Sequence, residues 1–175
     1  SVFYFIFFYS FSVIPVLNVN TRVTIAGKCK DTTEIIGQDE ISHPCRGCLS
    51  VNDMHNDVGN LVDKSDTNLP SLLSPIDRVY YVNQFGAEIQ PPPSSDVVTA
   101  LQSSHGIIYG MGSLYTSIIP SLILMGIGTV IRNAKTPKIL LLNSWEDRET
   151  VGMNAIDYIV AITKALLRNE IGRAS

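Results

Sequence analysis

The segment Gly110-Met111-Gly112-Ser113-Leu114-Tyr115-Thr116-Ser117 constrains this chain more than any other, because it joins two apolar runs of different kind. Ahead of it, Gly106–Tyr109 reads as a buried strand. Behind it, Ile118–Ile127 reads as a strongly apolar helix, with Pro120 in the first turn, where a missing N–H does no harm. A second strand follows at Lys138–Leu142, KILLL, whose unbroken apolar run is the pattern of a parallel strand covered on both faces. A last helix runs from about Ala155 to Arg168, with Asn154 as its cap and Asp157 in its first turn. Ile156, Ile159, Val160, Thr163 and Leu167 make its expected inward stripe. Strand, helix, strand, helix implies a right-handed crossover and an α/β layered fold.

The rest of the chain is less regular. Thr21–Ala26 and Thr33–Gln38 read as two strands of a hairpin within residues 13–42. Arg78–Asn83 carries VYYV, fit for a strand, and Ser95 or Asp96 can cap a helix through Val97, Val98 and Leu101. Residues 43–75 hold most of the polar turn-formers and no periodicity, so they read as a disordered surface insertion ahead of the α/β stretch 76–170. Residues 1–12 are set apart by aromatic density: five of the six Phe lie in the first eleven positions. The uncharged run 1–17 lacks a basic start and a small-residue cleavage site. It is also shorter than the ~20 apolar residues that span a bilayer. We therefore place 1–12 outside the fold and expect no membrane partner.

Charge excludes a further class. With a net charge of −3 and no basic patch, nucleic acid is not an expected partner. Three cysteines build no closed disulfide framework. The lone Cys45-Arg46-Gly47-Cys48 lacks the four spaced ligands of a zinc site, and Cys29, His43 and His55 would complete one only with large loop closure. No metal ligand is assigned.

Two loops can carry chemistry. In the first, Gly110 and Gly112 permit a tight turn and close backbone approach. Ser113, Thr116 and Ser117 add hydroxyls at a helix amino end, which suits a phosphate. The pattern is neither a Walker loop nor the three-glycine dinucleotide fingerprint, and a plain strand-to-helix turn fits it equally. The second loop, Asn143 to Met153, leaves the next strand at the same sheet edge, where open α/β sheets bind ligands. Arg148 can fork onto a phosphate, and Glu149 or Asp147 can hold Arg148 or a metal. Trp145 either stacks on a base or packs. No nucleophile–base–acid set is visible.

The order of these pieces carries a resemblance. GMGSLYTSIIPSLIL, KILLLN, DRET and NAIDYIVAITKAL together resemble the CofD-like family, which contains 2-phospho-L-lactate transferase and gluconeogenesis-factor proteins. Asp147-Arg148-Glu149-Thr150 and Ile41-Ser42-His43-Pro44 are most similar to its uncharacterised eukaryotic branch. The resemblance implies a Rossmann-like three-layer sandwich with a mainly parallel sheet. It also implies transfer of a phospholactyl-type group from a GDP-linked donor to a deazaflavin acceptor, with magnesium. The alternative it implies is a non-catalytic regulator that binds a nucleotide sugar. The site residues carried over are Gly110, Gly112, Ser113, Thr116, Ser117, Asn143, Arg148, Glu149 and Thr150. A cytoplasmic location and a homodimer are compatible with it. This sequence departs from the pattern at Met111 (often Pro), His105 (often Asp) and Ser144 (Gly in the eukaryotic branch). The Gly-Gly-Thr loop that begins the family's domain has no counterpart here, so we expect the carboxyl-terminal part of an incomplete, inactive domain.

Overall fold

A computed structural model describes residues 11–18, 22–42 and 72–171. The stretches 1–12 and 43–75 set apart above fall mostly outside these, at 1–10 and 43–71.

The amino-terminal half is a hairpin built on β-formers. Strand β1 (Val23–Cys29) turns through Thr32, at φ 73°, into β2 (Glu34–Ile36), pairing antiparallel with Ala26 opposite Ile36. Asp31 Oδ1 accepts from Thr33 N, so the turn satisfies its own backbone. A single helical turn, α1 (Gln38–Ser42), follows and buries Ile41 completely.

Strand β3 (Ile76–Asn83) then lies antiparallel along β1, and β4 (Glu88–Ile89) folds back on β3. The result is a four-stranded antiparallel sheet in the order β2-β1-β3-β4. This corrects the expected mainly parallel sheet. The turn chemistry explains it: Asn83 Oδ1 accepts from Phe85 N and Ala87 N, and Gly86 takes φ 78°. An Asn with a Gly three residues on closes a hairpin, and a hairpin makes its strands antiparallel.

The parallel part is smaller. Helix α2 (Ser95–Ser103) is capped by Ser94, one residue earlier than expected, with Ser94 Oγ accepting from Asp96 N. Strand β5 (Ile107–Tyr109) pairs in parallel with β6 (Lys138–Leu140), Ile108 opposite Ile139. The fold is therefore α/β with a parallel pair beside an antiparallel sheet, only partly Rossmann-like.

The connection between β5 and β6 also differs from the expected single helix over 118–127. It opens on a π-helical turn (Leu114–Ile118), continues as α3 (Ile119–Leu122), breaks, and resumes as α4 (Ile127–Asn133). Pro120 has no N–H to give and crowds the preceding carbonyls, and the wider π turn just ahead of it relieves that crowding. Gly126, at φ 80°, makes the break. Helix α5 (Ala155–Ile171) crosses α4 so closely that a Cβ on Gly128 would run into the Leu166 carbonyl. Its amino end matches expectation: Asn154 Oδ1 accepts from Ile156 N and Asp157 N, and Asp157 Oδ2 accepts from Asn154 N.

One core joins the two halves. Ile25, Ile76, Val79 and Tyr81 from the antiparallel sheet pack with Ile107, Leu114, Ile119, Leu124, Ile127 and Ile162. The Tyr81 hydroxyl donates to Pro120 O at 3.1 Å, a buried tie between β3 and α3. Two expectations fail at this core. Ile156, Ile159, Val160, Thr163 and Leu167 do not face it. Ile156 is 70 % exposed, while Ile162 and Ala165 are buried and Tyr158, Ala161 and Leu166 flank them. Nor is KILLL covered on both sides: Ile139 is 49 % exposed, and Leu141 and Leu142 leave the strand half-exposed. Among the described residues, no single helix is long and apolar enough to cross a membrane.

Candidate functional site

The glycine turn and the long loop after β6 meet at the carboxyl ends of the two parallel strands. Leu141 N donates to Tyr109 O at 3.0 Å, extending the parallel pairing to the rim. Beyond it, Asn143 Nδ2 donates to Gly112 O at 3.1 Å. Asn143 and Gly112, both carried over from the sequence pattern, are thus in direct contact.

The turn itself has two parts. Gly110 is exposed, with an ordinary φ and open space where a Cβ would stand, so no packing among the described residues requires glycine there. At Gly112 a Cβ would come within 3.2 Å of Ser117 Cβ, tighter than an ordinary contact. Ser113 is the helix amino-cap residue, yet its side chain makes no capping hydrogen bond. Its carbonyl accepts from Ser117 N and Ile118 N.

The helix amino end is already occupied by an anion, and the anion is Glu149. Its Oε2 accepts from Tyr115 N at 2.9 Å and Thr116 N at 3.1 Å. Its Oε1 accepts from the Thr116 and Ser42 hydroxyls, the latter at 2.8 Å. The residue is 5 % exposed. A carboxylate at a helix amino end satisfies orphan N–H groups and opposes the helix dipole. Four donors to one carboxylate satisfy most of what burying it would otherwise cost.

Loop 143–153 holds itself together around Asp147. Its Oδ1 accepts from Glu149 N at 3.1 Å and from the Thr150 hydroxyl at 2.7 Å. Thr150 is 1 % exposed, and the Asp147 carbonyl accepts from its N–H. Gly152, at φ 76°, turns the chain toward α5. Asp147 Oδ2 is buried and has no hydrogen-bond partner.

Arg148 reaches away from the turn. Its Nη1 donates to Glu40 O at 2.8 Å and Ile41 O at 3.0 Å, closing the carboxyl end of α1. Partial burial pulls its pKa below the ordinary arginine value, against the opposing pull of Glu40 and Glu149. Glu149 acts on Arg148 through its charge, while the Glu149 and Asp147 carboxylates accept hydrogen bonds from the helix start and from the loop itself.

The structure thus brings together Gly110, Gly112, Ser113 and Asn143 on the rim. It gathers Thr116, Arg148, Glu149 and Thr150 beneath it, with their hydrogen bonds directed to the protein, and leaves Ser117 exposed on the helix. Sequence reasoning missed Ser42, which lies 3.0 Å from the Thr116 hydroxyl. Its only signal was membership of the Ile41-Ser42-His43-Pro44 segment.

Comparison with known proteins places these features in a family context. The family model described as "2-phospho-L-lactate transferase CofD" matches residues 6–172. The "Uncharacterized protein YNL011C" of Saccharomyces cerevisiae is 26 % identical over 197 aligned positions, covering 89 % of this chain and 44 % of that protein. A "Putative gluconeogenesis factor" of Nostoc is 37 % identical over 76 residues, covering 43 % of this chain and 17 % of its own length. Another from Streptococcus pyogenes is 32 % identical over 97 residues, covering 55 % and 30 %. Among solved structures, protein BH3568 of Bacillus halodurans superposes with a TM-score of 0.63 at 22 % identity, over 89 % of this chain and 39 % of that one. The chain spans less than half the length of these relatives.

Proposed function

The chain belongs to the CofD family, and we propose that its Gly110–Ser113 turn and Asn143 bind the diphosphate of a nucleotide-linked small molecule. The observation that carries this reading is the Asn143–Gly112 hydrogen bond, which joins two strand ends into one rim. Ligands of open α/β sheets bind at that position. Free turn geometry at Gly110 and an uncommitted Ser113 hydroxyl suit close approach of phosphate oxygens. Thr116, Glu149, Thr150 and Arg148 then act from beneath. Glu149 pins the long loop to the helix start, and Arg148 pins it to α1.

The activity proposed is the family's transfer of a phospholactyl-type group from a GDP-linked donor to a deazaflavin acceptor, in the whole protein and in the cytoplasm. A magnesium ion would neutralise diphosphate charge there. Glu149 has no lone pair to spare, but the orphaned Asp147 Oδ2 fits the habit of magnesium, which takes one or two carboxylates with phosphate and water. The Nostoc and Streptococcus relatives are named "Putative gluconeogenesis factor", and for that branch the family resemblance implies a second reading, a nucleotide-sugar-binding regulator without turnover.

Calorimetric titration with GDP and UDP tests the shared premise, with circular dichroism as the folding control. Ser113→Ala is expected to weaken binding about tenfold, the loss of one charge-assisted hydrogen bond. Gly112→Val is expected to weaken it more. Unchanged affinity in folded Ser113→Ala protein would remove the phosphate reading. Product formation from a GDP-linked donor separates the transferase from the regulator.

A further inference from the structure

The single tryptophan of the chain is not part of any core. Trp145 is 86 % exposed, in the loop that leaves β6. An indole carries a large apolar face and is normally well covered. Its neighbours at the same rim share the condition: Met111, inside the glycine turn, is 76 % exposed, and Leu142, at the end of KILLL, is 43 % exposed. Three large apolar side chains therefore stand in water around the point where Asn143 bonds Gly112 O. Trp145 is two residues past Asn143, so its backbone lies within about 7 Å of that contact point's own residue. Ligand sites combine such apolar and aromatic faces with a few convergent polar groups. The polar groups here are the turn backbone, Ser113 and the Asn143 amide.

We propose that Trp145 is a specificity-determining residue, stacking on the heteroaromatic ring of a nucleoside diphosphate whose phosphates lie on the Gly110–Ser113 turn. This rests on the phosphate reading above and adds the base to it. A sugar separates ring from diphosphate in such a ligand, which matches an aromatic face set a short way along the rim from the glycines. Indole stacking tolerates any base but favours the larger purine face. Met111, beside Gly112, offers a second exposed apolar side chain on the turn side of the same contact point.

Because Trp145 is the sole tryptophan, its emission reports the contact directly. The 175-residue chain is titrated with GDP, UDP and inorganic pyrophosphate, following tryptophan fluorescence and heat. GDP is expected to quench the emission saturably and to bind more tightly than pyrophosphate, which releases or absorbs heat without quenching. Trp145→Ala should weaken GDP binding about tenfold and leave pyrophosphate binding unchanged. Trp145→Phe should recover most of the loss. Ser113→Ala, in contrast, should weaken both ligands. If pyrophosphate binds as tightly as GDP and the emission stays constant, stacking is overturned and the phosphate site stands. If Trp145→Ala weakens pyrophosphate as much as GDP, Trp145 holds the loop and does not read the base, which also overturns it. If neither ligand binds, both readings fall.

Discussion

The parallel pair is built from the more apolar strands of this protein, IIY and KIL, yet it is the less covered of the two sheets. In the antiparallel sheet the central strands β1 and β3 are covered on both faces. Ile25, Val79 and Tyr81 enter the main core, while Ala26, Tyr80 and Val82 form a second buried cluster, with Arg78 stacked 4.3 Å above the Tyr80 ring. In the parallel pair only one face is closed. Ile107, Tyr109 and Leu140 pack inward, whereas Ile108 is 62 % exposed and Ile139 opposite it is 49 % exposed. A parallel pair depends on layers on both faces, because its strands have no polar side to give to water. An antiparallel hairpin closes locally through its own turns. The difference teaches that the stable part of this chain and the part that presents the candidate site are distinct. The rim stands on the less covered sheet, held from below by Glu149.

The largest effect expected is on the boundary where the two regions meet, and it is alkaline. Tyr81 belongs to the antiparallel sheet and Tyr115 to the helix start after β5. Burial pushes both phenols up to about 12, with Asp77 and Glu149 adding to the shift at Tyr115. A folded-state value above the unfolded value of 10 means the stabilisation is complete below pH 10. It is lost as pH rises from 10 toward 12. Together the two contribute roughly 5 kcal/mol by this route. Urea titrations across that window should show the fall. Tyr81→Phe and Tyr115→Phe should each remove about half of it. A fall confined to one variant would mean that only one region is closed at the boundary.

Next in size is Glu149→Ala. It leaves Tyr115 N and Thr116 N without their carboxylate partner in a buried position. The expected loss is roughly 3 kcal/mol in chemical denaturation. It should be accompanied by faster amide exchange over loop 143–153 and the β5–β6 pair, with β1 and β3 unaffected. Uniform loss of protection would show that the regions fold as one unit.

The smallest expected difference, about 2 kcal/mol between two matched truncations, sharpens the contrast most directly. Ile76→Ala, in β3, removes a side chain that is 3 % exposed and should cost about 3 kcal/mol. Ile139→Ala removes the same atoms from the half-open face and should cost about 1 kcal/mol. Equal costs in matched unfolding curves would contradict the open face.

Much of the local structure was legible in the residues. The Asn154–Asp157 capping pair and the β1–β2 hairpin follow from short-range chemistry, which a few neighbouring residues complete. The parallel β5–β6 pair followed from apolar runs separated by a helical connection. The Asn83–Gly86 hairpin is equally local in its chemistry, but its return strand is only Glu88–Ile89, too short for any periodicity to show. The π turn at Leu114 is not readable from periodicity, because a single wider turn just ahead of Pro120 is too short to shift the apolar pattern.

By itself the sequence determined the family, the two loops at one strand edge, and the glycine, serine and asparagine residues that meet there. Only the tertiary structure decided what each face does. Helix α5 is apolar on two sides, and which stripe turns inward depends on where α4 can approach. Gly128 lets α4 pack against the backbone at Leu166, and that contact directs Ile162 and Ala165 inward and Ile156 outward. Glu149 likewise reads as a loop charge until the fold sets it against the helix amino end. The partner that satisfies a buried carboxylate is 33 residues away along the chain, and no local pattern encodes that distance.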